Sequence, residues 1–251
     1  MRVLLLKLAY NGAAYHGWQR QNNAVTVQQT VEEALSLLLG QSIAVNGCSR
    51  TDAGVHAREY CLSFETDNPI PPQGLIAGLN DKLPDDIAVY ECREMPEGFH
   101  ARFGCVGKEY EFLVHNSAIK DPFYKDTAMR WKYPIDARLL DREAKDFIGT
   151  HDFKAFCSAA CDKENTVREI FAYDVRREGD LVRFTVSGSG FLYNMVRITV
   201  GTLLYIGEGK LPQGCIPELI ASRDRTRAGI TAEPQGLYLN RVFYDKGKIF
   251  R

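Results

Sequence analysis

At 251 residues, with 45% hydrophobic and 25% charged side chains, the chain has the length of one or two domains and an ordinary globular composition, so its core needs no covalent staples. A net charge of −1 excludes a global positive field, so any nucleic-acid partner must be met by local patches. Seven cysteines (48, 61, 92, 105, 157, 161 and 215), odd in number and without a CxxC pair, argue against a secreted disulfide framework and for reduced thiols.

The opening MRVLLLKLAY has only four apolar residues in a row, Val3 to Leu6, before Lys7. That is too short for a signal-peptide core, and no later stretch approaches a membrane span, so a soluble, cytoplasmic protein is expected. Val3–Tyr10 reads as a strand entering a turn at Asn11-Gly12. The loop AAYHGWQRQ then gathers Tyr15, His16, Trp18 and Arg20. Thr26 and Gln29 have capping-box spacing, and Val27, Val31, Ala34, Leu35 and Leu38 line one helical face until Gly40 stops it. Ile43–Val45 is a brief strand leading into SRTDAGVHAREY at 49–60, after which Tyr60–Phe64 alternates as a strand.

Pro69, Pro71 and Pro72 introduce a helix around Leu75–Leu79, and Ile87–Cys92 is a further strand. KEYEFLVH at 108–115 alternates, with Tyr110, Phe112 and Val114 on one side and Glu109, Glu111 and Leu113 on the other. Ala137–Ile148 reads as a helix. Arg168–Arg177 and Asp180–Val186 form a hairpin around Gly179-Asp180. Phe191–Tyr205 is an apolar-faced helix, Pro217–Arg223 a short one, and Gly236–Tyr244 a strand. Strands that cluster into hairpins predict an antiparallel sheet covered by helices. The pattern divides into two similar α/β lobes, residues 1–104 with the Asp52 motif and residues 105–251.

Several clusters carry possible chemistry. In an extended Arg50-Thr51-Asp52 the guanidinium and carboxylate point to one side and can pair, which would keep the acid ionised as a nucleophile or electrostatic stabiliser; an ordinary loop ion pair has the same spacing. Gly54 leaves room for a ligand to approach the backbone. Asp52 and His56 are four apart, yet no HExxH-like pair accompanies them. Cys157, Cys161 and His151 lack a fourth ligand at a metal-site spacing. Ser187-Gly-Ser-Gly190 precedes the helix bearing Arg197, beside Tyr193 and Asn194, and suits either a phosphate or a serine-capped turn. Arg223, Arg225 and Arg227, and the aromatic–basic stretches Tyr15–Arg20 and Arg130–Tyr133, suit RNA stacking and phosphate contact or simply a solvated face.

SRTDAGVHA at 49–57 resembles the catalytic motif of the tRNA pseudouridine synthases. AYNGAAYHGWQRQ at 9–21 with TVQQTVEEAL at 26–35 is similar to that family's opening, and KEYEFLV at 108–114 to its central tyrosine strand. GTHDFKAF at 149–156, FLYNMVR at 191–197 and QGLYL at 235–239 resemble its later blocks, in order. Ser49 departs from the family's frequent glycine.

The resemblance implies an α+β fold, two similar lobes of mainly antiparallel sheet flanked by helices, with the active-site cleft between them. It implies Asp52 as nucleophile, Arg50 and Arg197 as cations that hold it or a substrate phosphate, and Tyr110 against the target base. The implied substrate is uridine at positions 38, 39 and 40 of tRNA, in the anticodon arm. It further implies a homodimer that needs neither metal nor cofactor. Attack on C1′, attack on C6 and removal of a 2′ proton all remain open to the carboxylate, and His56 reads as structural. Two other readings are an RNA-binding module that has lost its chemistry and a glycosidic hydrolase, although no second catalytic acid is evident for the latter.

Overall fold

The computed structural model describes residues 1–158, 164–245 and 247. The chain divides into two compact units, Met1–Val106 with Tyr238–Arg251, and Gly107–Leu237. The first contains β1 (Arg2–Tyr10), α1 (Val27–Leu39), β2 (Asn46–Gly47), β3 (His56–Thr66), α2 (Pro72–Asn80) and β4 (Ile87–Met95). The second contains β5 (Gly107–Asn116), β6 (Met129–Trp131), α3 (Ala137–Ala144), β7 (Gly149–Asp152), β8 (Val167–Glu178), β9 (Leu181–Gly188), α4 (Met195–Gly207) and α5 (Ile216–Ser222). A last strand, β10 (Leu237–Phe243), follows. The fold is mixed α/β, mostly antiparallel sheet flanked by helices. No helix among the described residues is long and apolar enough to cross a membrane.

In the first unit β1 lies between β4 and β3, antiparallel to both. Its run of Val3 to Leu6 is buried on both faces, which is why the run is continuous rather than alternating. Thr26 caps α1, accepting the Gln29 N–H at 3.4 Å, and Gly40 ends it in the left-handed region at φ +66°. The buried stripe is Val27, Val31, Leu35 and Leu39 with Ala34 beside it. Leu39 therefore takes the place expected for Leu38. Leu38 is half-buried against α2, where a Cβ on Gly78 would lie 2.7 Å from its Cδ1.

Glu32, in the same stripe, is 5% exposed. It accepts from the Val45 N–H at 3.1 Å, Gln28 Nε2 at 2.9 Å and Arg20 Nη1 at 2.8 Å. Those bonds change the assignment of Ile43–Val45. The Ile43 amide donates to Ser36 Oγ and the Val45 amide to Glu32, so side chains of α1 replace a strand ladder, and pairing starts only at Asn46.

The terminal strand, expected with the second lobe, belongs to the first unit from Tyr238 onward. It runs parallel to β3, with Tyr238 opposite His56 and Leu239 opposite Ala57. The Val242 amide donates to Glu59 Oε1 at 3.0 Å, and the Val106 amide to the Phe243 carbonyl at 2.8 Å.

In the second unit the antiparallel order is β5-β9-β8-β7, with β6 parallel to β5 on its other side. The predicted hairpin is present: Glu178 faces Leu181 across Gly179, at φ +62°, and Asp180. Helix α3 stops at Ala144 and tightens into a 3-10 turn at Lys145–Phe147, short of the predicted Ile148. Helix α4 starts at Met195 rather than Phe191, because Asn194 at φ +60° cannot continue a right-handed helix.

Candidate active site

Asp52 begins a tight turn. The Val55 N–H donates to the Asp52 carbonyl at 3.1 Å, and Gly54 takes φ +77°, where a turn of this kind calls for glycine. Side chains alternate before it: Arg50 is exposed, Thr51 buried and Asp52 half-buried. The Thr51 hydroxyl shares a 2.9 Å buried hydrogen bond with Tyr10 Oη. Asp52 is thus carried on backbone fastened by the residue just before it.

Loop 12–18 holds the turn backbone to backbone. The Trp18 N–H donates to the Thr51 carbonyl at 3.1 Å, and the Gly54 N–H to the Tyr15 carbonyl at 3.2 Å. A Cβ on Gly12 would sit 1.9 Å from the Val55 carbonyl oxygen, and one on Gly17, at φ +83°, 2.4 Å from that of Thr51. Only glycine permits this approach. His56 is buried, and its Nδ1 accepts from the Gly12 N–H at 3.0 Å, which places its ring proton on Nε2. Its ring also stacks on Tyr238 at 4.6 Å.

Beneath the turn, Trp18 stacks on Tyr60 at 3.9 Å, and Tyr60 Oη donates to the Ser49 carbonyl. Tyr15 is buried and donates to Asp86 Oδ1 at 2.6 Å. Burial and that acceptor both push its phenol well above the ordinary range. The aromatics of Tyr15–Arg20 are therefore core around the turn, not a surface for bases, and Arg20 is committed to Glu32.

The Arg50–Asp52 ion pair expected from spacing is not formed: among the described residues Arg50 joins no salt bridge. Thr51 turns inward to Tyr10 and the chain reverses after Asp52, leaving Arg50 pointing to solvent. A two-residue spacing puts side chains on one side without bringing their ends together.

Tyr110 and Arg197 belong to the second unit. Tyr110, on β5 opposite Val186 of β9, is buried, with Phe191 edge-on at 5.0 Å. Arg197, half-buried in the first turns of α4, donates through Nε to the Ala232 carbonyl at 2.6 Å and through Nη1 to Asn194 Oδ1 at 2.8 Å. The glycines at 188 and 190 do not form a phosphate cradle at the head of α4. Gly188 ends β9, the Ser189 amide is spent on the Glu169 carbonyl at 2.9 Å, and the helix starts five residues after Gly190.

The other arginine clusters are also engaged by protein. Arg223 pairs with Asp152 at 2.9 Å, Arg225 donates to the Gly229 carbonyl and Thr231, and Arg227 pairs with Glu218. Arg130 donates to the carbonyls of Ser117 and Ala118. Cys157 is buried and His151 is bonded to the Ile148 carbonyl, while Cys161 lies outside the described residues. Among the described residues no three His, Cys, Asp or Glu side chains gather as a metal site.

Residues 8–104 and 144–245 match the tRNA pseudouridine synthase family. The chain belongs to that family. Its relatives include the tRNA pseudouridine synthase A of Ruminiclostridium cellulolyticum, 44% identical, and that of Acetivibrio thermocellus, 43% identical; each alignment covers 97% of this chain and all of the relative. A solved structure of a Cbf5-Nop10-Gar1 complex overlaps loosely, at TM-score 0.41 and 11% identity over 94% of this chain and 57% of that one.

Within this tRNA pseudouridine synthase the supporting residues escaped the sequence pattern more than the motif did. Tyr10, Gly12 and Gly17 lie in the block at 9–21 and Thr51 and Tyr60 in the stretch at 49–60, but their part in holding the Asp52 turn shows only in the structure.

Proposed function

We propose that this protein isomerises uridine to pseudouridine at positions 38, 39 and 40 of tRNA, in the anticodon arm, with Asp52 as the nucleophile. The observation that carries the reading is a half-buried carboxylate on a turn whose backbone is fixed by glycine-only contacts. Such a carboxylate is preorganised at little entropic cost. The reaction breaks the N1–C1′ bond, turns the uracil and joins C5 to C1′, while the C5 proton leaves and one returns to nitrogen. No net oxidation occurs. The target base must leave its stack to be reached.

Asp52 acts on C1′, on C6 or on the 2′ proton. Arg197 supplies positive charge to the acid or to a substrate phosphate, Arg50, which faces solvent, supplies it to a phosphate, and Tyr110 lies against the target base. The family's membership supports a tRNA substrate, and intact Asp52, Arg50 and Tyr110 speak against a binding module without chemistry. A cytoplasmic homodimer belongs with the same reading.

The test is pseudouridine mapping on unmodified tRNA with the wild type and Asp52→Asn. Asn keeps size and one carbonyl oxygen but loses the charge. Turnover should fall by at least ~10³-fold, with melting temperature and tRNA affinity nearly unchanged. A variant keeping a tenth of wild-type turnover would refute the assignment.

A further inference from the structure

The loop after β4 holds an aromatic side chain in water. Phe103 is 79% exposed, and its ring lies against His100 at 4.3 Å. Single exposed apolar residues are common on soluble proteins and need no explanation by themselves. Here the surrounding loop is held rigid. Ala101, fully buried, donates its N–H to Ser63 Oγ at 3.0 Å and accepts from Tyr244 Oη at 2.7 Å, so both its backbone groups are anchored. Phe99 turns inward to Tyr244 at 5.3 Å, and a Cβ on Gly104 would crowd Phe99 at 3.2 Å. His100 is oriented too: its Nδ1 accepts the Arg102 N–H at 3.1 Å, and its carbonyl accepts the Gly104 N–H at 2.9 Å.

The loop therefore presents a prepositioned Phe–His pair beside the exposed guanidinium of Arg102, which joins no salt bridge among the described residues. An aromatic face with an adjacent cation is the chemistry that takes an unpaired base and its phosphate. We propose that Phe103, backed by His100 and flanked by Arg102, is a stacking platform for an unpaired nucleotide of the RNA substrate. The proposal rests on the function given above and adds a second RNA contact to it. Ser63 lies seven residues along β3 from His56, roughly 20 Å at the rise of a strand. The Ala101 end of the loop is thus anchored away from the Asp52 turn, and the effect of the platform is expected on binding rather than on the chemical step.

Steady-state kinetics and binding titrations on unmodified tRNA test this with Phe103→Ala, Phe103→Leu and Phe103→Trp. A base stacked on an aromatic predicts a rise in KM and Kd of about tenfold for Ala and for Leu, with Trp restoring both. Arg102→Ala should lower the salt slope of log K by about one. Wild-type KM in Phe103→Ala overturns the proposal. So does Phe103→Leu behaving as wild type, since a plain apolar contact then suffices, or a changed sedimentation mass in Phe103→Ala with unaltered tRNA affinity, which makes the surface a protein contact. A wild type that makes no pseudouridine refutes the function instead, and the binding series then still decides whether Phe103 stacks on RNA.

Discussion

Gly12 and Gly17 are the residues on which the Asp52 turn most depends, because each stands where any Cβ would enter the backbone of the motif. Gly12→Ala or Gly17→Ala should cost on the order of 2–4 kcal/mol and displace the turn. Denaturant unfolding with a parallel turnover assay would check it, and wild-type values for both would refute the close approach. Arg225→Ala, by contrast, should lower the melting temperature more than it changes tRNA affinity, since its guanidinium is spent on Gly229 and Thr231. At this scale Asp52 stood out as the candidate, because Arg-Thr-Asp-Ala-Gly is a compact local pattern. The glycines were not, since what they clear space for lies about forty residues away in sequence. The absent Arg50–Asp52 pair has the same lesson: period gives a side, and the contact is decided by what Thr51 does.

Among the elements, α1 joins local and tertiary signals. Thr26→Ala should cost about 1 kcal/mol through its cap. Glu32→Ala should cost more, about 2 kcal/mol, because it strands a buried amide at Val45 and removes the acceptor of Gln28. A pair of chemical denaturation curves separates them. Helix α3 carries a pH signature. Burial alone would raise the Asp141 carboxyl, but the Val175 amide and Lys145 outweigh it and hold it below its ordinary value of 3.8. The stability it adds is complete above that ordinary value and is lost as pH falls through the lower folded one. Asp141→Asn should therefore flatten the acid limb of a stability–pH curve, and an unchanged limb would refute the bond pattern. The caps of α1 and the β8–β9 hairpin were readable because both depend on neighbouring residues. The fate of Ile43–Val45 depended on Ser36 and Glu32, and the late start of α4 on one backbone angle at Asn194, which no periodicity reports.

For the whole molecule, a net charge of −1 means that attraction to RNA is local, so affinity should fall with salt along a slope set by a few phosphates. Titrations between 50 and 200 mM salt would show it, and a flat response would mean that no arginine reads a phosphate. The sequence pattern put a boundary between residues 104 and 105, and the two compact units divide after Val106. The return of the last strand to the first unit was not visible there, because a parallel partner nearly two hundred residues away leaves no mark on local sequence. That return has a consequence during synthesis. The second unit is an insertion within the first, so β3 keeps an open edge at His56 and Ala57 while Gly107–Leu237 is being made. At ~5–20 residues per second that wait is on the order of ten seconds. The inserted unit can mature first, and the half that bears Asp52 closes only after Tyr238 has left the ribosome.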